Sequence, residues 1–290
     1  MQGQEIFSML PSRLAAIVRK YDRDWENVQE IRIRQGRRIT LRYRGELHIP
    51  QGQQSDVTPM ECKEILSQIS QHSLYAFEEE IRRGYMTLPC GHRIGVAGRA
   101  VMEQGQVRTL RQITCLNIRI SHEKKGCADW LMPYLLHGKQ LYSALLVSPP
   151  GGGKTTLLRD IVRNVSARFN VSLIDERSEI AGCYQGIPQR DVGPNCDVLD
   201  GCPKAVGMEM ALRSLGPDVI AVDEIGLKED DRAMHKALVS GCSLLATMHG
   251  EDLSPIREKG LFHRYILLDG SRKPGSVTGI YNQRGQQIWG

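Results

Sequence analysis

The sequence predicts an α/β chain in two parts: a smaller α+β domain, then a parallel sheet covered on both faces by helices. Three observations predict it. From about residue 141 onward, short apolar stretches alternate with amphipathic helical patterns. A glycine-rich loop joins the first of those stretches to the first of those helices. Before residue 140, apolar and charged residues alternate around turn signals, which marks antiparallel pairs instead.

In order along the chain, residues 30–34 and 39–44 alternate Ile and Leu with Arg around Gln35-Gly36-Arg37-Arg38, a half-solvated hairpin. Thr58-Pro59-Met60-Glu61 starts a helix, with a Thr cap, Pro at the first helical position and Glu three residues after the cap. A second helix is expected over 75–83, ending at Gly84, and short strands over 85–88, 92–97 and 116–120. This gives an N-terminal α+β domain over 1–120, a linker over 121–140 and a second domain over 141–290. In the latter, strands are expected at 141–147, 171–174, 219–222 and 243–247, and helices at 155–167, 204–215 and 229–239. Residues 181–202, rich in Gly, Pro and Asp, show no periodicity and are expected as a long loop with a function of its own. The tail offers an apolar stretch at 265–268 and a hairpin signal around Asn282-Gln283-Arg284-Gly285.

Composition narrows the class. The chain has 290 residues, 41% hydrophobic and 24% charged, as expected of a folded globular chain with a sizeable core. No run of 18 apolar residues occurs, and the first residues lack the cationic start and apolar stretch of a secretory signal. The eight cysteines include no C-x-x-C pair, so reduced, mostly buried thiols in a cytoplasmic protein are expected. The net charge of +5 is uneven: residues 1–140 hold 21 Lys and Arg against 15 Asp and Glu, and the rest hold 17 against 18. Six arginines and no acid lie between Ile31 and Gly45. Such a stripe suits nucleic acid, anionic lipid or nucleotide phosphates, and equally the solvated face of a hairpin.

The chemistry concentrates in the second half. Leu145-Leu146-Val147 leads into Ser148-Pro149-Pro150-Gly151-Gly152-Gly153-Lys154-Thr155-Thr156, and an apolar-periodic helix follows. Strand, loop and helix in this order are the context of a phosphate-binding P-loop, although Ser148 stands where the pattern has its first Gly. Backbone N–H groups of Pro150–Thr156, Pro150 itself excepted, would curl around phosphates at the helix N-terminus. Lys154 would reach the β- and γ-phosphates of ATP, and the Thr155 hydroxyl would ligate Mg²⁺. Val219-Ile220-Ala221-Val222 ends in Asp223-Glu224. Asp223 would hold Mg²⁺ and Glu224 would orient the attacking water. Two further strand ends carry polar groups: Asp175-Glu176-Arg177-Ser178-Glu179, and Thr247 with His249 as candidate sensors of the γ-phosphate. Together these predict a RecA/AAA-like P-loop NTPase core.

The residues also carry a family resemblance. Ile174-Asp175-Glu176-Arg177-Ser178-Glu179-Ile180-Ala181-Gly182, Asp191-Val192-Gly193-Pro194, Cys202-Pro203-Lys204 and, in the first half, Gly91-His92-Arg93-Ile94-Gly95 resemble the stage III sporulation protein AA family of endospore-forming bacteria. Through it the chain is similar to ATPases of type II and type IV secretion and of type IV pili. Asp175 to Glu179 resembles their acidic box, and Thr247-Met248-His249 their histidine box. Those ATPases commonly have Gly where this chain has Asp223. The resemblance implies a hexameric ring, an N-terminal domain closing over nucleotide, and membrane-peripheral work in the mother cell with the channel proteins that join it to the forespore. Glu224 is favoured over Glu179 as the residue that polarises water. Candidate arginines acting in trans are Arg93, Arg99, Arg111, Arg119, Arg177 and Arg213.

Three functions compete: an Mg²⁺-dependent ATPase motor, an ATP-gated single-strand nucleic-acid binder, and an ATP-switched ring scaffold with little turnover. Only Tyr43 interrupts the arginine stripe as an aromatic, which argues against base stacking and so against the second.

Overall fold

The computed structural model describes residues 3–50, 56–70, 78–82, 84–88, 90–226, 228–250, 252, 260–270 and 274–290. Contacts divide the chain into two units, Met1–His122 and Glu123–Gly290. A mixed α/β architecture results, with a six-stranded sheet in the first unit and an eight-stranded sheet and a two-stranded ribbon in the second.

The first unit opens with two short helices, α1 (Gln4–Met9) and α2 (Ser12–Val18), and a 3-10 stretch (Arg19–Asn27). Its strands are β1 (Val28–Arg34), β2 (Thr40–Tyr43), β3 (Glu46–His48), β4 (Tyr85–Thr87), β5 (Arg93–Glu103) and β6 (Gln106–Arg119). They form an antiparallel sheet in the order β3-β2-β1-β6-β5-β4. Strand alternation places Ile31, Ile33, Ile94, Leu116 and Ile118 in the core and turns Arg32 and Arg34 to the other face. The expected β1–β2 hairpin is present. Part of its arginine stripe is neutralised within the unit, because Arg32 pairs with Glu30, and Arg44 with Asp24 at 2.6 Å.

Helix α3 (Pro59–Ile69) begins as its residues dictate. The Thr58 hydroxyl accepts from the Glu61 amide at 3.2 Å, and the Glu61 carboxylate accepts from the Thr58 amide at 2.9 Å. Arg13 donates to both Glu61 oxygens at 2.8 and 2.7 Å, tying α2 to this cap. Replacing Glu61 with Ala removes half of the capping box and both carboxylate acceptors of Arg13, which keeps its hydrogen bond to the Asp56 carbonyl. The expected loss is about 2 kcal/mol, read as a lower denaturant midpoint with an unchanged slope. Of the helix expected over 75–83, α4 (Glu78–Arg82) is present; residues 75–77 and 83 lie outside the described residues.

The second unit contains β7 (Leu136–His137), β8 (Gln140–Leu141), β9 (Ala144–Ser148), β10 (Val171–Asp175), β11 (Cys196–Asp200), β12 (Val219–Val222), β13 (Ser243–His249), β14 (Arg264–Leu268), β15 (Val277–Asn282) and β16 (Gln287–Trp289). Its helices are α5 (Met132–Leu135), α6 (Lys154–Val165), α7 (Lys204–Ser214) and α8 (Lys228–Val239). The main sheet runs β11-β10-β12-β13-β9-β14-β15-β16. The six strands from β11 to β14 are parallel; β15 and β16 add an antiparallel edge. Every residue of β9, β10 and β12 is buried, because helices cover both faces of these central strands. One face packs on α6, through Leu157, Leu158, Ile161 and Val162, and the other on α7 and α8, through Met208, Ala211 and Met234.

Two expectations differ from the observed packing. Most of the expected linker, 121–140, packs with the second unit, because Ala128, Leu131 and Leu135 are fully buried in the core beside α6. The buried Asp160 carboxylate of α6 holds that segment by accepting from the Gly126 and Ala128 amides at 3.1 and 2.7 Å. The supposed loop 181–202 contains a strand, β11, which pairs in parallel with β10 at the sheet edge. The eight cysteines are all free. Among the described residues, no helix is long and apolar enough to cross a membrane.

Candidate nucleotide site

Strands β9, β10, β12 and β13 are adjacent and parallel, so their carboxyl ends deliver four polar segments to one edge of the sheet. Residues separated by up to a hundred positions in sequence meet there.

The P-loop follows β9. Ser148 is fully buried and its φ lies outside the left-handed region, so a serine serves where the pattern has glycine. Its hydroxyl donates to the Pro149 carbonyl at 2.9 Å. A Cβ on Gly152 would fall 1.8 Å from Ser148 Oγ, and Gly153 sits at φ +92°, where a side chain is strained. A Cβ on Gly153 would also come within 2.4 Å of the Gly275 nitrogen. The reason is that the β14–β15 connection packs on the loop, with the Gly275 amide donating to the Gly152 carbonyl at 2.8 Å. This support was not legible in the sequence, since nothing local marks Gly275 as a neighbour of the P-loop. The N-terminus of α6 has no side-chain cap, which leaves its first N–H groups directed into the loop.

Lys154 is buried. Burial lowers its pKa, and Asp223 and Glu224 partly offset the shift. Its ammonium donates to the Ser148 carbonyl at 3.4 Å and to His249 Nδ1 at 3.2 Å. An ammonium has only donors, so Nδ1 must accept and Nε2 must bear the proton. His249 Nε2 therefore donates to Glu224 Oε1, 3.1 Å away. The other oxygen of Glu224 meets Arg177 Nη1 at 2.6 Å.

Asp223 is bound on two sides. The Thr155 hydroxyl donates to Oδ2 at 3.0 Å, and the Thr247 hydroxyl donates to Oδ1. Thr247 Oγ1 also accepts from the Glu224 amide at 2.9 Å, so one fully buried side chain on β13 fixes both acids that follow β12. Burial pushes the Asp223 pKa up; the two hydroxyls oppose this, and Glu224 and Glu179 reinforce it. A carboxylate whose charge is under-compensated, beside a threonine hydroxyl, is an oxygen donor set suited to a small hard cation such as Mg²⁺.

The acidic segment after β10 divides its labour. Asp175 is buried, and its carboxylate accepts from the Glu179, Ile180 and Ala181 amides at 2.9, 3.0 and 2.8 Å. It shapes the turn. Glu176 pairs with Lys204 at the start of α7. Arg159 of α6 donates to the Glu179 carbonyl at 2.7 Å and to the Ile180 carbonyl. Glu179 itself lies close enough to Asp223 to raise its pKa. Of the arginines weighed for a role in trans, Arg177 engages Glu224 of its own chain, and Arg213 lies 3.8 Å from Glu209 one helical turn away.

Burial pushes the Asp175 pKa up to about 6, with its three amide donors opposing. Between about pH 4 and 6 the folded chain keeps a proton that the unfolded chain has lost. The stability from this group is thus complete at low pH and falls away as pH rises through 6, by on the order of 3 kcal/mol. Asp175→Asn should flatten that part of the pH profile while losing an acceptor for one amide. Urea midpoints at pH 4.5 and 7.5 measure both effects, with the wild-type midpoint falling more steeply toward pH 7.5 than the variant's.

Comparison with known proteins adds the lineage. The family model for sporulation stage III, protein AA, matches residues 1–288. The chain belongs to this family. It is 40% identical to stage III sporulation protein AA of Bacillus subtilis over 98% of its own length and 96% of the relative's. Solved structures share the fold at low identity. The ATPase DotB of Legionella pneumophila superposes with a TM-score of 0.60 at 16% identity, covering 89% of this chain and 76% of that one. The pilus retraction motor PilT, solved with bound ADP, gives 0.57 at 15%, covering 87% and 77%. A RecA/AAA-like P-loop core behind a smaller α+β part is therefore the fold of this family member.

Proposed function

We propose that the chain is an Mg²⁺-dependent ATPase converting ATP to ADP and phosphate. The observation that carries this reading is the unbroken contact path from Lys154 through His249 to Glu224, beside Thr155 and Asp223 bound to each other. In this reading the P-loop amides of Gly151, Gly152, Gly153, Lys154, Thr155 and Thr156 hold the phosphates, with Pro150 shaping the loop. Lys154 leaves Ser148 and His249 for the phosphoryl oxygens. Thr155 and Asp223 hold Mg²⁺, which when bound neutralises charge that builds on the β- and γ-phosphates. Glu224 orients and polarises water, with Glu179 second in line for that role. Thr247 keeps Asp223 and Glu224 in register, and His249 couples Lys154 to Glu224.

The family membership and the fold shared with the ATPase DotB and the pilus retraction motor PilT support a further reading. The chain would act as a hexameric ring, as the family resemblance implies, at the membrane channel joining mother cell and forespore, peripheral to the membrane. Titration of the full chain with a fluorescent ATP analogue, with and without Mg²⁺, tests the nucleotide reading. Saturable binding strengthened by Mg²⁺ supports it, and no binding removes it.

A further inference from the structure

Both oxygens of Glu224 already have a partner. Its amide is held by Thr247, its backbone sits in the left-handed region at φ +49°, one carboxylate oxygen accepts from His249 and the other faces Arg177. Each oxygen keeps a second lone pair, but the Arg177 guanidinium competes with water for the oxygen that His249 leaves open. Thr247 and His249 lie on the neighbouring strand β13 and hold the carboxylate at the sheet edge. Arg177 approaches from the other side, on the turn after β10. That turn is rigid: Asp175 accepts three of its amides, Ser178 sits at φ +53° with its hydroxyl on Asp200 at 2.6 Å, and Arg159 holds two of its carbonyls. The guanidinium, by contrast, ends a side chain that is 62% exposed, so it can leave without disturbing the turn.

We propose that Arg177 is a latch within the chain that occupies Glu224 and restrains hydrolysis until the guanidinium is drawn away. This rests on the reading of Glu224 as the residue that orients water. It also gives Arg177 a role opposite to that of an arginine stabilising transferred phosphate, because the variant should be faster.

The test is steady-state phosphate release from MgATP by full-length Arg177→Ala and Arg177→Lys. Loss of one partly exposed ion pair corresponds to about a three- to fivefold rise in kcat for Arg177→Ala, with KM within about twofold. Arg177→Lys keeps the charge without the planar fork and should fall between. The double variant Arg177→Ala, Glu224→Gln should be as slow as Glu224→Gln alone. A kcat that falls or stays unchanged in Arg177→Ala overturns the latch, as does a gain that survives in the Glu224→Gln background. If the wild-type chain is silent, an active Arg177→Ala chain supports the latch and an equally silent one overturns it. Binding of a non-hydrolysable ATP analogue by wild type and by Lys154→Ala reports on the nucleotide reading separately from either result.

Discussion

Lys154→Ala abolishes MgATP binding at concentrations where the wild-type chain saturates, a loss of at least about 100-fold in affinity, or about 2.7 kcal/mol. The size follows from where the ammonium sits. It is buried at the start of α6, in a loop whose other donors are backbone amides, and it supplies the side-chain positive charge of the phosphate cradle. The change should leave the fold intact. Burial lowers the Lys154 pKa, which means the unliganded chain holds this charge at a cost, and the nearby Asp223 and Glu224 carboxylates only partly offset it. Removing it should shift unliganded stability by no more than about 1 kcal/mol in either direction. Thermal melts separate the two effects. Saturating MgATP at 100 times its wild-type Kd should stabilise the wild type by about 2.7 kcal/mol and Lys154→Ala by no more than about 0.4 kcal/mol.

Glu224→Gln should bind MgATP within about threefold of wild type yet release phosphate about 10²- to 10³-fold more slowly. Glutamine keeps the shape of the side chain and an oxygen able to accept from His249, so the contacts at the end of β12 survive. What it lacks is the charge that draws a proton from water. The split between preserved binding and lost turnover separates Glu224 from Lys154. If Glu179→Gln gives the larger loss in turnover, the order of the two acids reverses.

The parts of this site that were legible in sequence share a physical cause. Central parallel strands are buried on both faces, so β9, β10 and β12 appear as continuous apolar runs that end abruptly in polar residues. Three consecutive glycines mark the loop after β9, with Gly151 and Gly153 at positive φ and Gly153 against the Gly275 backbone. Illegible parts had weaker local signals. Strands β5 and β6 extend as a long hairpin whose middle, around residues 98–114, is largely exposed and shows no clean alternation, so only their buried ends were expected. Strand β11 lies at the sheet edge and is half-exposed, and its sequence Cys196-Asp197-Val198-Leu199-Asp200 does not stand out from the polar residues around it. Residues 123–131 look polar because their charges face outward, while Ala128 and Leu131 provide the buried contacts. Thr247, a candidate sensor of phosphate, shares its hydroxyl between Asp223 and the Glu224 amide, contacts that no local pattern marks. The contact between Arg177 and Glu224 depends on β10 lying beside β12, a long-range pairing that no local pattern encodes.

Hydrolysis of ATP at this site is read from phosphate release from MgATP by the full-length chain, followed from dilute to concentrated protein with Lys154→Ala as the baseline. Release should lie well above the baseline, with specific activity rising as the chains assemble. Release that stays at the Lys154→Ala level at every concentration would contradict it and leave a nucleotide-switched scaffold in its place.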